Sequence, residues 1–290
     1  MILKGSLPAL VTPFSPDGVD EKAFVRLVER QIGAGAHGLV PCGTTGEASA
    51  LSPDEHKRVI ALTVATSRGR VPVIAGVGGG RTADVIAMMA HAKAVGAEAA
   101  LVVTPAYVRP SQDGLIAFYE ALQSAVALPF VVYNVPARTG VDMAVETVIA
   151  VAQLPNAIGL KDATGDLSRV ARHKAGVAAD FALLSGDDPS AVGFNASGGS
   201  GCISVTANVA PQACAQLQDA CLSGDYAGAA RLNAGLARLH RALFAHPSPA
   251  PAKRALSLLG LCSDAVRLPL TKAPESQDAE LRAAMAEAGA

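Results

Sequence analysis

The chain has 290 residues, half of them apolar and 17% charged, so it can bury a large core and extended disorder is not expected. Its formal net charge of -1 offers no basic block for nucleic acid or for an anionic membrane surface. Neither a signal peptide nor an apolar run long enough to span a membrane is expected. Five scattered cysteines without a CxxC pair are typical of reduced thiols, so we predict a cytoplasmic protein.

Eight short runs of β-forming residues alternate with helical stretches up to residue 222. Most of these runs are apolar throughout, which is typical of parallel strands that helices cover. The predicted strands span residues 6–12, 37–41, 71–77, 99–104, 129–135, 157–161, 181–185 and 201–205.

Helix signals fill the gaps between these runs. Residues 20–32 place their apolar side chains on one stripe, as an amphipathic helix does. The segment 52–55, Ser-Pro-Asp-Glu, has the spacing of a capping box with proline at the first helical position. Further helices are predicted to begin near Thr82 and near Ser111.

Eight strand–helix units predict an α/β fold, a (β/α)8 TIM barrel, over residues 1–222. A doubly wound open sheet is the alternative, which the lack of a GxGxxG motif after the first strand disfavours. Strand signals stop after residue 222. We therefore predict a C-terminal helical region, residues 223–290, that packs on the barrel.

The run AIGLK ends on a lysine at the sixth predicted strand end, where a barrel builds its site. The two-residue period of a strand divides the run into two faces, with Ala157, Gly159 and Lys161 on one and Ile158 and Leu160 on the other. A lysine directed into the barrel mouth loses hydration, which favours the neutral amine that forms Schiff bases. An ion pair between Lys161 and Asp162 or another carboxylate is the structural alternative.

Tyr133 stands at the corresponding position of the fifth strand, because it shares a face with Val131 and not with Val132. A phenol beside a forming imine can carry protons between substrate and intermediates. The pattern leaves an ordinary half-buried tyrosine open as the alternative.

Two further segments can bind a carboxylate. The motif GTTGE, residues 43–47, combines a glycine-bounded turn, whose N–H groups can hold an anion, with two hydroxyls that can relay protons. Arg138 can pair with a substrate carboxylate through two hydrogen bonds. The alternatives are a plain turn before the helix at residue 52 and a surface salt bridge.

Phosphate and metal sites are not predicted. The run GVGGG, residues 76–80, lacks the lysine and serine spacing of a phosphate-binding loop, so we interpret it as a flexible connection. The six histidines are dispersed and form neither an HxxxH nor an HExxH pattern.

Together these segments resemble one family, the Schiff-base, pyruvate-dependent aldolases related to N-acetylneuraminate lyase. The resemblance runs from about residue 4 to residue 270. Its motifs are GTTGE, YNVPARTG, GLKDATGD, LSGDD and GCISVTANVAP. The arginine of YNVPARTG is the most discriminating, because it is typical of members that condense pyruvate with L-aspartate 4-semialdehyde.

The resemblance implies catalytic roles for four residues. Lys161 is expected to form the imine with pyruvate, and Tyr133 to be the central proton-transfer group. Thr44 and Tyr107 would complete a hydroxyl relay, with Tyr107 crossing a subunit interface to reach its neighbour's site. The resemblance also implies a homotetramer built from tight dimers and no metal or organic cofactor.

Four more residues are expected to bind the substrates. Thr45 matches the residue that holds the pyruvate carboxylate, and Arg138 the one that receives the carboxylate of the semialdehyde. Gly186 and Ile203 match positions whose carbonyls line the pocket. The implied activity belongs to the diaminopimelate route to lysine.

The chain departs from the family pattern at the site where lysine inhibits many bacterial members. A tyrosine is replaced there by Ala106, an asparagine by Gly80 and a glutamate by Asp84, while His56 is retained. We therefore expect feedback inhibition by lysine to be weak or absent.

Two other functions remain as alternatives. One is another Schiff-base aldolase or hydratase of the same superfamily, acting on a 2-keto-3-deoxy sugar acid or a related 2-keto acid. The other is a barrel without catalytic activity that serves as a regulatory or binding protein.

Overall fold

The computed structural model describes residues 3–290 of the chain. Seven strands within this range form one parallel sheet, in the order β1-β9-β8-β7-β6-β5-β4, and β2 and β3 pair as a short antiparallel ribbon. The strands are β1 (Gly5–Pro8), β2 (Phe14–Ser15), β3 (Gly18–Val19), β4 (Ile74–Gly76), β5 (Ala99–Val103), β6 (Phe130–Asn134), β7 (Ala157–Asp162), β8 (Ala182–Ser185) and β9 (Gly201–Ser204). The predicted α/β class is confirmed.

The second predicted strand, residues 37–41, is much shorter than expected. Val40 forms a parallel bridge with Ala9 beyond β1, and Leu39 forms one with Val73 before β4. Backbone hydrogen bonds of 2.8–3.0 Å support both bridges, so this segment lies between the two ends of the sheet. We attribute its shortness to the prolines at 41 and 72, which supply no N–H to the ladder.

The sheet order contradicts the doubly wound alternative. From β4 to β9 every strand lies beside its neighbours in sequence, and all these pairs are parallel. A doubly wound sheet instead reverses its strand order at a switch point. The first strand then pairs with the last, β1 with β9.

Helices separate the strands and cover the sheet. They are α1 (Glu21–Gly33), α2 (Pro53–Ser67), α3 (Thr82–Ala94), α4 (Gln112–Ala125), α5 (Pro136–Thr139), α6 (Val145–Val151), α7 (Ser168–Gly176), α8 (Ala191–Ala196), α9 (Pro211–Leu222), α10 (Tyr226–Leu243), α11 (Ala250–Leu258) and α12 (Asp278–Glu287). The capping box is present, since Ser52 accepts from the N–H of Glu55 and the Glu55 carboxylate accepts in return.

Both faces of the sheet are buried. One face packs against helices, where side chains such as Val102, Val132 and Leu160 share one apolar cluster with residues of α1 to α4 and α6 to α8. The other face buries a separate cluster drawn from strands and adjoining residues, including Leu101 and Tyr133. A face that is buried without helices requires the sheet to curl upon itself.

The C-terminal helices add a third apolar cluster. It joins α9 to α12 with two residues from the start of the chain, Val11 and Leu27. Residues 223–290 contain the helices α10 to α12, which pack through this cluster against α9 and α1. Within residues 3–290, no helix has the length and apolar character needed to span a membrane.

Candidate active site

The register of β7 places Lys161 beside Tyr133. The two residues are paired across β6 and β7, each at the carboxyl end of its strand. Lys161 Nζ lies 4.1 Å from the centroid of the Tyr133 ring, and both residues are 6% exposed. The amine therefore lies over the face of an aromatic ring. The negative face of such a ring attracts a positively charged group.

The predicted faces of β7 are correct only near its carboxyl end. Leu160 packs on the helix-covered face, opposite to Tyr133, as expected. Ala157 and Ile158 are reversed, because Ala157 joins the helix-covered cluster and Ile158 the other. A register shift between Phe130 and Val131 of β6 is the physical reason, since it skips one residue of β7.

Gly186 follows β8 and gives Lys161 its space. A Cβ at Gly186 would lie 2.7 Å from the Cβ of Ala163 and 3.0 Å from the Cε of Lys161. A larger residue would therefore displace the lysine side chain from the Tyr133 ring.

Asp162 does not neutralise Lys161. Its Oδ1 accepts the N–H of Thr164 at 2.8 Å, and its Oδ2 lies 3.8 Å from Arg169 Nε. Among the described residues, no carboxylate oxygen lies within 4.0 Å of Lys161 Nζ. The structural alternative of a Lys161–Asp162 ion pair is therefore wrong, and Asp162 instead ties the strand end to α7.

A cavity of about 530 Å³ opens beside Tyr133. Thr44 and Arg138 line it with Tyr133, so the structure brings these three predicted residues together. The remaining lining comes from small and apolar residues: Cys42, Gly43, Ala48, Ser49, Gly76, Val77, Gly78, Gly79, Gly80, Leu101, Val103, Ala106, Val135 and Thr139. The lining does not include Thr45, Lys161, Gly186 or Ile203, although Lys161 Nζ contacts the ring of Tyr133, which does line the cavity.

The GTTGE segment forms a tight turn at the cavity wall. The N–H of Gly46 donates to the carbonyl of Gly43 at 3.0 Å, and the N–H of Glu47 to that of Thr44 at 3.1 Å. The hydroxyl of Thr12 donates to the Gly46 carbonyl at 2.7 Å. Thr44 is thereby left half-buried at the cavity, whereas Thr45 is buried.

The remaining substrate-binding candidates differ in exposure. Arg138 lies on the short helix α5 and is exposed at the cavity rim. Ile203 pairs with Leu7 in the register of β9 with β1, and its side chain packs in the same cluster as Tyr133.

The structure does not bring Tyr107 to this cavity. Its ring is 95% exposed and its backbone is in the left-handed region, with φ 72°. The N–H of Tyr107 donates to the Thr139 carbonyl at 3.3 Å, and the preceding Ala106 lines the cavity. Its neighbour Val108 is also exposed, so this loop presents two large apolar side chains beside the cavity.

The sequence reasoning missed the role of the glycine run in the cavity wall. Gly76 and Gly78–Gly80 line the cavity, and a Cβ at Gly76 would lie 2.2 Å from the carbonyl oxygen of Cys42. The sequence feature that points to this role is a glycine-rich run at the carboxyl end of a predicted strand. This segment is therefore part of the wall and not only a flexible connection.

Thiol chemistry finds little support in this cavity. Cys42 faces it, but burial raises the pKa of the Cys42 thiol far above its usual range, which disfavours a thiolate. Burial also lowers the pKa of His56, whose Nε2 lies 2.7 Å from the Gly76 carbonyl. Among residues 3–290, no group of three or more His, Cys, Asp or Glu side chains is placed to hold a metal ion.

Comparison with known proteins identifies the family. The profile of the dihydrodipicolinate synthetase family matches residues 2–288. The chain belongs to this family. The resemblance inferred from the sequence motifs is thereby confirmed over almost the whole chain.

Relatives within the dihydrodipicolinate synthetase family are close. A 4-hydroxy-tetrahydrodipicolinate synthase from Phenylobacterium zucineum (strain HLK1) is 57% identical over 288 residues, covering 99% of this chain and 98% of that protein. Another from Hyphomonas neptunium (strain ATCC 15444) is 58% identical over 287 residues, covering 98% of each chain. The crystal structure of a chloride-inhibited dihydrodipicolinate synthase from Acinetobacter baumannii, complexed with pyruvate, matches with a TM-score of 0.96 at 43% identity over 99% of each chain.

Proposed function

We propose that this chain is a lyase that condenses pyruvate with L-aspartate 4-semialdehyde to give 4-hydroxy-tetrahydrodipicolinate, on the diaminopimelate route to lysine. Family membership and the names of the relatives support this activity. The observation that carries it is the position of Lys161 Nζ, 4.1 Å from the centroid of the Tyr133 ring and without a carboxylate partner among the described residues.

Lys161 is the nucleophile in this proposal. Its neutral amine attacks the ketone carbon of pyruvate, and water leaves to give an imine. Loss of a proton from the pyruvate methyl group gives an enamine, which attacks the aldehyde carbon of the semialdehyde. The amine of the semialdehyde then displaces Lys161 as the ring closes, and the free lysine is restored.

Three hydroxyls would move the protons that these steps require. Tyr133 is the central group, because its ring contacts the lysine and lines the cavity. Thr44 lies on the same cavity wall. Tyr107 would complete the relay from a neighbouring subunit, which its exposure in the single chain supports.

Four residues would bind the substrates. Thr45 and the turn N–H groups would hold the pyruvate carboxylate, with the carbonyls of Gly186 and Ile203 beside it. Arg138, exposed at the cavity rim, would receive the semialdehyde carboxylate through paired hydrogen bonds.

We extend the proposal to barrel closure, domain bounds and oligomeric state. We propose that the sheet closes as a (β/α)8 barrel through residues 39 and 40, with residues 1–222 as the catalytic barrel and 223–290 as a helical region upon it. The bridges to Ala9 and Val73 support closure. A homotetramer of tight dimers is proposed from the family resemblance, and the cytoplasmic location stays a prediction.

Borohydride reduction tests the proposed chemistry directly. Wild-type protein incubated with pyruvate and reduced should gain one pyruvate-derived adduct on Lys161 and lose activity. A separate, unreduced sample of the same preparation should condense pyruvate with the semialdehyde in an assay coupled to the downstream reductase. Lys161→Met should lose the adduct and reduce kcat/KM by about 10³-fold or more. Lys174→Met removes an exposed lysine of α7 as the matched control and should retain both signals.

Each other outcome contradicts part of the proposal. An adduct combined with cleavage of a 2-keto-3-deoxy sugar acid, without semialdehyde condensation, would assign the chain to another aldolase activity. A wild-type protein without any adduct would instead favour a non-catalytic binding role.

A further inference from the structure

A buried ion pair joins the GTTGE turn to the C-terminal helices. Lys253 of α11 is fully buried and donates from Nζ to Oε1 of Glu47 at 2.5 Å. Glu47 is 3% exposed and lies 206 residues away in the chain. Burying two charges is costly unless their geometry and remaining hydrogen bonds are well satisfied.

The Glu47 carboxylate is held at both oxygens by the C-terminal segment. Its Oε2 accepts the backbone N–H of Arg267 at 2.9 Å, while Lys253 also donates to the carbonyl of Ala265 at 2.8 Å. The Phe14 ring closes the site, with its centroid 4.0 Å from Lys253 Nζ. Lys253, Ala265 and Arg267 therefore form a socket for one side chain of the barrel.

The backbone at Glu47 shows why this socket matters for the turn. Glu47 has φ 55°, a left-handed conformation that non-glycine residues adopt at a cost. Its N–H closes the turn by donating to Thr44, whose side chain lines the cavity. Fixing the Glu47 side chain therefore fixes the direction of the turn that carries Thr44 and Thr45.

We propose that Lys253 is a positioning residue for substrate, holding the Glu47 side chain so that the turn at residues 43–47 presents Thr44 and Thr45 to the pyruvate carboxylate. The proposal rests on the proposed function, because it needs pyruvate at this turn. It gives the C-terminal helical region a part in substrate binding that its packing alone does not require.

The neighbouring residue Arg254 supplies a matched control. It lies on the same helix and donates to Asp278 through Nε and Nη2 and to Asp264 through Nη1, at 2.6–2.9 Å. These contacts stay within the C-terminal region. Arg254→Met therefore weakens that region without touching Glu47.

The experiment measures the pyruvate concentration that gives half-maximal borohydride-trapped adduct on Lys161, by mass spectrometry of the full-length protein. For Lys253→Met we expect this concentration to rise about tenfold or more, because small displacements of a binding group have large effects. Saturating pyruvate should restore the full adduct. Arg254→Met should lower the thermal midpoint but leave the half-maximal concentration unchanged.

Glu47→Gln keeps a side-chain oxygen that accepts a hydrogen bond from Lys253 but loses the negative charge. It tests the same contact if Lys253→Met does not fold. It should also raise the half-maximal concentration. Because both residues act through one contact, the double variant should be no worse than the more affected single variant.

Equal shifts for Lys253→Met and Arg254→Met would overturn the proposal, as would wild-type values for folded Lys253→Met. If Lys253→Met does not fold, a wild-type value for Glu47→Gln would overturn it. Absence of any adduct on the wild-type protein would overturn the proposed function itself, and the inference with it.

Discussion

The two tyrosines with predicted roles in proton transfer lie in opposite environments. Tyr133 is 6% exposed, paired on both sides in the sheet and in contact with Lys161. Tyr107 is 95% exposed on a loop, with a left-handed backbone. A strand end therefore fixes a side chain by contacts within the chain, whereas the loop leaves the Tyr107 side chain exposed, as our proposal of a role at a neighbouring subunit requires.

Of the two tyrosine variants, Tyr133→Phe should lower activity most. Loss of the hydroxyl should lower kcat for condensation by about 10² to 10⁴-fold, the range typical of general acid–base groups. The aromatic ring remains against Lys161, so the folded structure should be retained. Steady-state kinetics, with circular dichroism and borohydride trapping at saturating pyruvate, would check this.

A Tyr133→Phe variant with wild-type kcat would contradict the proposed relay. Loss of folding would also contradict it in part, because the Tyr133 hydroxyl would then be structural.

Tyr107→Phe should have a smaller effect on activity and almost none on stability. We expect kcat to fall about ten- to a hundredfold, whereas the free energy of unfolding should change by less than about 0.5 kcal/mol, since the ring is exposed. Val108→Ala alters the adjacent exposed side chain and should leave kcat unchanged. Kinetics and urea denaturation would measure both.

Mixing variants tests whether Tyr107 serves a neighbouring subunit. Tyr107→Phe and Lys161→Met chains, each impaired alone, should regain activity when unfolded together and refolded, because some sites then receive both native residues. Activity no greater than that of the separately refolded variants would place the action of Tyr107 within its own chain.

The same contrast explains how much the sequence could predict. Lys161 and Tyr133 were assigned to one face because strand periodicity is local. Ile158 was assigned wrongly, because the register shift depends on the partner strand β6. The Glu47–Lys253 pair joins residues 206 positions apart, so no local pattern could reveal it.

A smaller effect on stability is expected at the first turn of α2. This turn is held by side-chain contacts, unlike the exposed Tyr107 loop. Arg267 donates to both oxygens of Glu55 at 2.5 and 2.6 Å, and this contact lowers the Glu55 pKa from 4.5 to about 2. A lowered carboxyl pKa contributes stability above pH 4.5 that is lost as the pH falls towards 2. Glu55→Gln, which retains the capping-box acceptor, should therefore cost about 1 kcal/mol near neutrality.

The difference in unfolding free energy between the wild type and Glu55→Gln should shrink across that acid range, and urea denaturation at several pH values would measure it. A difference that stays constant with pH would show that Glu55 contributes through its shape and not through its charge.

Lysine inhibition is the smallest expected effect. The resemblance implies an aromatic side chain and an amide where this chain has Ala106 and Gly80, and a Cβ at Gly80 would meet open space. Each missing contact is worth on the order of 1 kcal/mol, so sub-millimolar lysine should not reach half-maximal inhibition. Ala106→Tyr combined with Gly80→Asn should increase sensitivity to lysine in the condensation assay, because both expected contacts are restored and position 80 has room for a side chain. Strong inhibition of the wild-type protein by lysine would contradict this expectation. It would mean that lysine binds without the aromatic side chain and the amide, through residues such as His56 and Asp84.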